Sequence, residues 1–86
     1  MRFRVTKMLQ VHDSAYKHGV SVGDIEHVIR HPMQVIRRED GGRLYPGAGR
    51  NAELLEVITV VKADGSELAI HAMKMRARYA NLVGGE

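Results

Sequence analysis

The chain has 86 residues, enough for one domain, residues 1 to 86, with a single modest core. Hydrophobic residues make up 44% and charged residues 27%, a globular rather than a disordered composition. The absence of cysteine excludes disulfides and thiol catalysis, and the net charge of +3 favours anionic partners, nucleic-acid phosphates or an acidic protein surface.

No stretch approaches the roughly 18–20 apolar residues of a membrane span. The charged start MRFRVTKMLQ has no apolar run behind it, so no signal peptide is expected. The expectation is a cytoplasmic protein with no membrane partner.

RFRVTKML alternates weakly and reads as a first strand or extended arm. HDSAYKHG suits a short helix from Ser14 to His18, with Asp13 as its N-cap and Gly19 as a left-handed stop. A second helix is clearer in SVGDIEHVIRHP. Ser21 is its N-cap, Asp24 stands three residues on, and Val22, Ile25, Val28 and Ile29 form one apolar stripe. Pro32 disfavours helix at His31, so the helix should end near Arg30.

MQVIRRE is a plausible strand, DGG a turn, and RLY a brief strand stopped by PGAG. LLEVITVVK is the strongest strand by its β-branched residues. ADGS reads as a two-residue type I′ turn at Asp64 and Gly65, with ELAIHAM returning. That turn sets Lys62 opposite Glu67, as a cross-strand ion pair, and Ile58 opposite His71. Val57, Thr59 and Val61 then share the core face with Leu68, Ile70 and Ala72. Glu56, Ile58 and Val60 lie with Ala69, His71 and Met73 on a partly open face, which puts His71 diagonal to Glu56. KMRARYANL closes the chain as a short C-terminal helix.

His27 and His31 stand four residues apart with Asp24 on the same stripe, a spacing that can chelate zinc. Pro32 spoils that geometry and no third strong ligand follows, so no metal is expected. Lys17 and His18 also suit a helix end, where cations balance the dipole. Arg37 and Arg38 are adjacent on a strand, so at most one reaches the open face. GAG is not a phosphate loop, because no Gly-Lys-Ser/Thr helix follows. His, Lys, Arg, Tyr and Glu remain for chemistry. Together they can deprotonate a hydroxyl, stabilise phosphorane charge and protonate a leaving oxygen, which RNA cleavage by its own 2′-OH needs without a cofactor.

YKHGVSVGDIEHVIRHP resembles the BrnT-like toxins of bacterial toxin–antitoxin pairs. LLEVITVVKADGSELAIHAM resembles their central hairpin, and the ending with Arg76 and Tyr79 resembles their basic C-terminal helix. The resemblance covers roughly residues 11 to 82. It implies an α+β, RelE-like domain: two short N-terminal helices on one face of a curved antiparallel sheet, and a short C-terminal helix. It also implies a ribonuclease that blocks translation, and a cognate antitoxin, often a ribbon-helix-helix protein, through which operator DNA is bound. The sequence departs from the family where KMLQVHDSA replaces an aromatic and acidic signature. It departs again where His71-Ala72-Met73 replaces Ser-Ala-Arg, so that Lys74 or Arg76 would have to supply the missing arginine.

On this resemblance the expected activity is metal-independent RNA cleavage. His71 or Glu56 is the proton acceptor, Arg76 stabilises charge and Tyr79 orients or protonates. Lys17, His18, Arg37, Arg38, Lys74 and Arg78 bind RNA. The competing expectation is a non-catalytic basic module, or an inactive toxin relative, that docks an acidic partner or nucleic acid.

Overall fold

The computed structural model describes residues 2–4 and 9–77. Six strands form one sheet: β1 (Arg2–Arg4), β2 (Leu9–His12), β3 (Ile36–Arg37), β4 (Arg43–Ala48), β5 (Leu54–Val61) and β6 (Glu67–Lys74). Their spatial order is β1-β2-β6-β5-β4-β3. The helix α1 (Val22–Arg30) and a 3₁₀ turn at Asp13–Tyr16 lie between β2 and β3. The architecture is a small α+β domain. Among the described residues no helix is long and apolar enough to cross a membrane.

The sheet is mixed, which corrects the all-antiparallel expectation. β2 runs parallel to β6, with Leu9 opposite Glu67 and Val11 opposite Ala69. Parallel neighbours need a long crossover. Here the crossover carries α1 onto one side of the sheet.

Only one of the two expected N-terminal helices is α-helical. HDSAYKHG makes a single 3₁₀ turn, and its N-cap is His12 rather than Asp13: the imidazole Nδ1 accepts from Ser14 N at 3.1 Å. Gly19 has the expected left-handed φ of +81°, but the 3₁₀ turn already ends at Tyr16, with Lys17 as its C-cap. Too few residues separate β2 from Gly19 to offset α-helix nucleation. α1 begins as read, with Ser21 Oγ accepting from Asp24 N, and stops before Pro32. Ile25 and Val28 are fully buried among Tyr45, Leu55, Val57 and Ala72.

The strand read as RLY runs on through Pro46 and Gly47 to Ala48. Proline is tolerated at sheet edges, and β3 pairs only with Arg43 and Leu44, so β4 is an edge at Pro46. The C-terminal helix does not begin at Lys74, which closes β6, and Met75 N still donates to Leu54 O. The remainder of that helix lies outside the described residues.

The β5–β6 turn differs from the type I′ expectation. Gly65 has φ +88°, but Asp64 does not have positive φ. Gly65 N donates to Lys62 O and Lys62 N to Ser66 O, as in a three-residue loop closed by a glycine bulge. Asp64 Oδ1 accepts from both Ser66 N and Ser66 Oγ, which holds its backbone in the ordinary region. Val61 therefore faces Glu67 and Thr59 faces Ala69, one residue away from the expected register. A bulge then leaves Ile70 unmatched and restores the expected pairs Ile58–His71 and Val57–Ala72. Ser14 Oγ donates to Ile70 O at 2.7 Å, which pins the 3₁₀ turn to the bulge.

Candidate active site

Cross-strand partners share a side of the sheet. The side under α1 carries Tyr45, Leu55, Val57, Thr59, Glu67, Ala69 and Ala72. The far side carries Leu44, Glu56, Ile58, His71 and Met73. The expected partly open face is more closed than read: Glu56 is 0% exposed and Leu44 and Ile58 are buried.

Glu56 stays buried because each carboxylate oxygen is hydrogen-bonded. Arg76 N donates to Oε1 at 3.0 Å. The Arg76 guanidinium donates to Oε2 from Nε at 3.0 Å and from an Nη at 2.6 Å. His71 Nε2 lies 3.0 Å from the same oxygen. A carboxylate only accepts, so His71 donates there, and in the neutral ring Nδ1 carries the lone pair. Burial pushes the Glu56 carboxyl up, but the hydrogen bonds from Arg76 and His71 outweigh it and hold its pKa below the ordinary glutamate value. An ionised carboxylate so fully engaged is a poor proton acceptor. Of the two candidates for that role the geometry favours His71, whose side chain is 24% exposed.

The three expected residues Glu56, His71 and Arg76 thus converge. His18, expected as an RNA contact, stands beside them: its exposed ring meets that of His71 edge-on at 5.7 Å between centroids. The left-handed Gly19 and the Ser14–Ile70 bond position it. Lys17 is exposed next to it.

The other expected contacts do not converge. Lys74 alternates to the opposite side of β6 and pairs with Glu53 at 3.5 Å. Arg37 and Arg38 lie at the β3 edge, three strands and about 14 Å from β6. With Glu39, Gly41, Arg43 and Val61 they line a separate hollow of about 300 Å³, where Arg38 pairs with Asp40. Arg78 and Tyr79 lie outside the described residues.

Among the described residues no three His, Asp or Glu side chains gather as a metal-binding group. Asp24 is turned to Arg50, which donates its backbone N and its Nε to Oδ1. His27 Nδ1 donates to Ala48 O.

A second network escaped the sequence reading. Glu67 does not pair with Lys62, which donates to Gln10 instead. Glu67 Oε1 accepts from Tyr45 Oη at 2.5 Å and from Thr59 Oγ1 at 2.8 Å, and Oε2 accepts from Arg43 at 2.5 Å. Burial, then the bond to Glu67, pushes the Tyr45 phenol up. The one signal for this network was a polar Thr59 within a β-branched strand.

Comparison with family models, with characterised proteins and with solved structures returns no match.

Proposed function

We propose that the chain is a metal-independent endoribonuclease, the toxin of a bacterial toxin–antitoxin pair, in which His71 takes the proton of a 2′-OH. The observation that carries the reading is the buried Glu56 carboxylate, which fixes the tautomer of a quarter-exposed imidazole. The Asp–His pairs of hydrolases use the same logic: the acid orients the ring and balances the charge it acquires. Arg76 supports the reading from its side. Met73, where the resembled toxins carry arginine, stands opposite Glu56 in the ladder, and Arg76 reaches that same glutamate.

On this reading the domain is a RelE-like relative that acts in the cytoplasm on mRNA, free or on the ribosome. A cognate antitoxin, of ribbon-helix-helix type, restrains it and carries operator binding. The competing reading is a non-catalytic binding module or an inactive toxin relative; Arg38 and Lys74, expected as RNA contacts, pair instead with Asp40 and Glu53, away from the Glu56 cluster. Purified protein incubated with total bacterial RNA, with and without ribosomes, separates the two. The ribonuclease reading expects fragmentation that persists in a chelator and weakens with salt. Intact RNA in every condition promotes the binding module.

A further inference from the structure

We infer that His18 is the general acid of this reaction, the partner of His71 across one phosphodiester. The inference rests on the ribonuclease reading and assigns His18 a role beyond binding. Cleavage through the 2′-OH needs two proton transfers, one from the nucleophile and one to the leaving oxygen. The two imidazoles are built for opposite tasks. Glu56 fixes the proton of His71 on Nε2, so the neutral ring offers the lone pair of Nδ1. His18 is exposed and has no hydrogen-bond partner among the described residues, so its ring nitrogens are open to a substrate. Their rings are 5.7 Å apart and edge-on, close enough for one phosphate to meet both within the ~2.6–3.2 Å reach of proton transfer.

The step balances as follows. His71 Nδ1 takes the 2′-hydroxyl proton while the 2′-oxygen bonds to phosphorus. The P–O5′ bond breaks, and protonated His18 gives its proton to O5′. The products are a 2′,3′-cyclic phosphate and a 5′-hydroxyl, with His71 left protonated and His18 neutral. Exchange with water resets both rings.

The position of His18 is encoded locally. The 3₁₀ turn ends at Tyr16, and Gly19, at φ +81°, turns the chain directly after His18, its N donating to Tyr16 O at 3.0 Å. Ser14 ties that turn to the β6 bulge immediately before His71. The bulge that re-aims His71 is therefore also the anchor of His18.

A sulfur leaving group tests the assignment, because a departing thiolate needs no proton. The probes are two RNA oligonucleotides spanning a site mapped with wild-type protein, identical except for oxygen or sulfur at the scissile 5′ position. His18→Ala and His18→Gln should cleave the oxygen substrate about 10²–10⁴-fold more slowly than wild type, the usual contribution of such a proton transfer. On the sulfur substrate both should return to within about tenfold of wild type, while His71→Ala stays slow on both. Equal slowing of the His18 variants on both substrates, or no slowing on either, overturns the assignment and leaves the ribonuclease reading standing. Absence of cleavage by wild type overturns both.

Discussion

The β5–β6 hairpin carries two glutamates on opposite sides of one sheet, and they are used differently. Glu56 sits on the far side with Arg76 and His71; Glu67 sits on the side of the sheet that carries α1, with Arg43, Tyr45 and Thr59. Each is held by one arginine and at least one further donor, so hydrogen bonding alone does not tell them apart. The difference lies in the company. Tyr45 is buried and its phenol is pushed up, and threonine and arginine do not exchange protons near neutrality. Imidazole is the side chain that changes charge most readily in this range, and His71 keeps an exposed edge with a second imidazole beside it. A buried carboxylate becomes chemically useful when it backs a group that can change charge, and is structural when it closes a network of groups that cannot.

The sharpest break between the two clusters should come from Arg76→Ala. It strands a buried carboxylate, a loss of roughly 3–5 kcal/mol for a fully buried pair. Arg76 is itself 37% exposed, so solvent screening brings the expected cost to about 2–3 kcal/mol, measured by urea denaturation. A cost near zero would mean that water replaces the guanidinium and that Glu56 is not truly sealed.

Acid should act on the same carboxylate. The folded pKa of Glu56 lies below its unfolded value, so its contribution is complete above about pH 4.3 and is lost as pH falls through the folded value. Glu56→Gln should therefore lose less stability than wild type between neutral pH and about pH 3. Asp24, Asp40 and Asp64, also held low by hydrogen bonds, keep part of the acid sensitivity in both proteins. Identical acid profiles would show that Glu56 carries none of it.

Tyr45→Phe probes the other cluster. It removes one hydrogen bond to a charged acceptor, worth about 1.5–3 kcal/mol. Melting should shift downward while RNA cleavage at permissive temperature stays the same. A parallel loss of cleavage would make the Glu67 network part of the site. The smallest effect is expected at the turn both clusters share. Gly65→Val places a β-branched residue at φ +88° and should cost about 1 kcal/mol or more. Unchanged melting would mean that the loop relaxes without disturbing the register.

The sequence made the nearness of Glu56 and His71 legible through two misreadings that compensate. A two-residue turn was expected where a three-residue loop stands, which slips the register by one near the turn. The bulge at Ile70 slips it back. The bulge was not visible locally, because it is fastened by Ser14, far away in the chain; the loop turns on the local bonds from Ser66 to Asp64. The cap and stop of α1 were legible because Ser21 and Pro32 act on their neighbours alone. Burial of Glu56 was not, since it depends on the chain turning back at Arg76 after β6. The course of β4 through Pro46 depended on β3 being too short to cover it. The Glu67 network needed Tyr45 and Arg43 delivered by β4, a pairing no local pattern announces.

The central claim is that the Glu56 side of the hairpin does chemistry and the Glu67 side does not. The most direct test is the initial rate of RNA cleavage by His71→Ala and Tyr45→Phe beside wild type, at a temperature where circular dichroism shows all three folded. The account predicts a loss of about 10²–10⁴-fold for His71→Ala and a rate within about twofold of wild type for Tyr45→Phe. Equal rates for all three proteins, or equal losses in both variants, would contradict it.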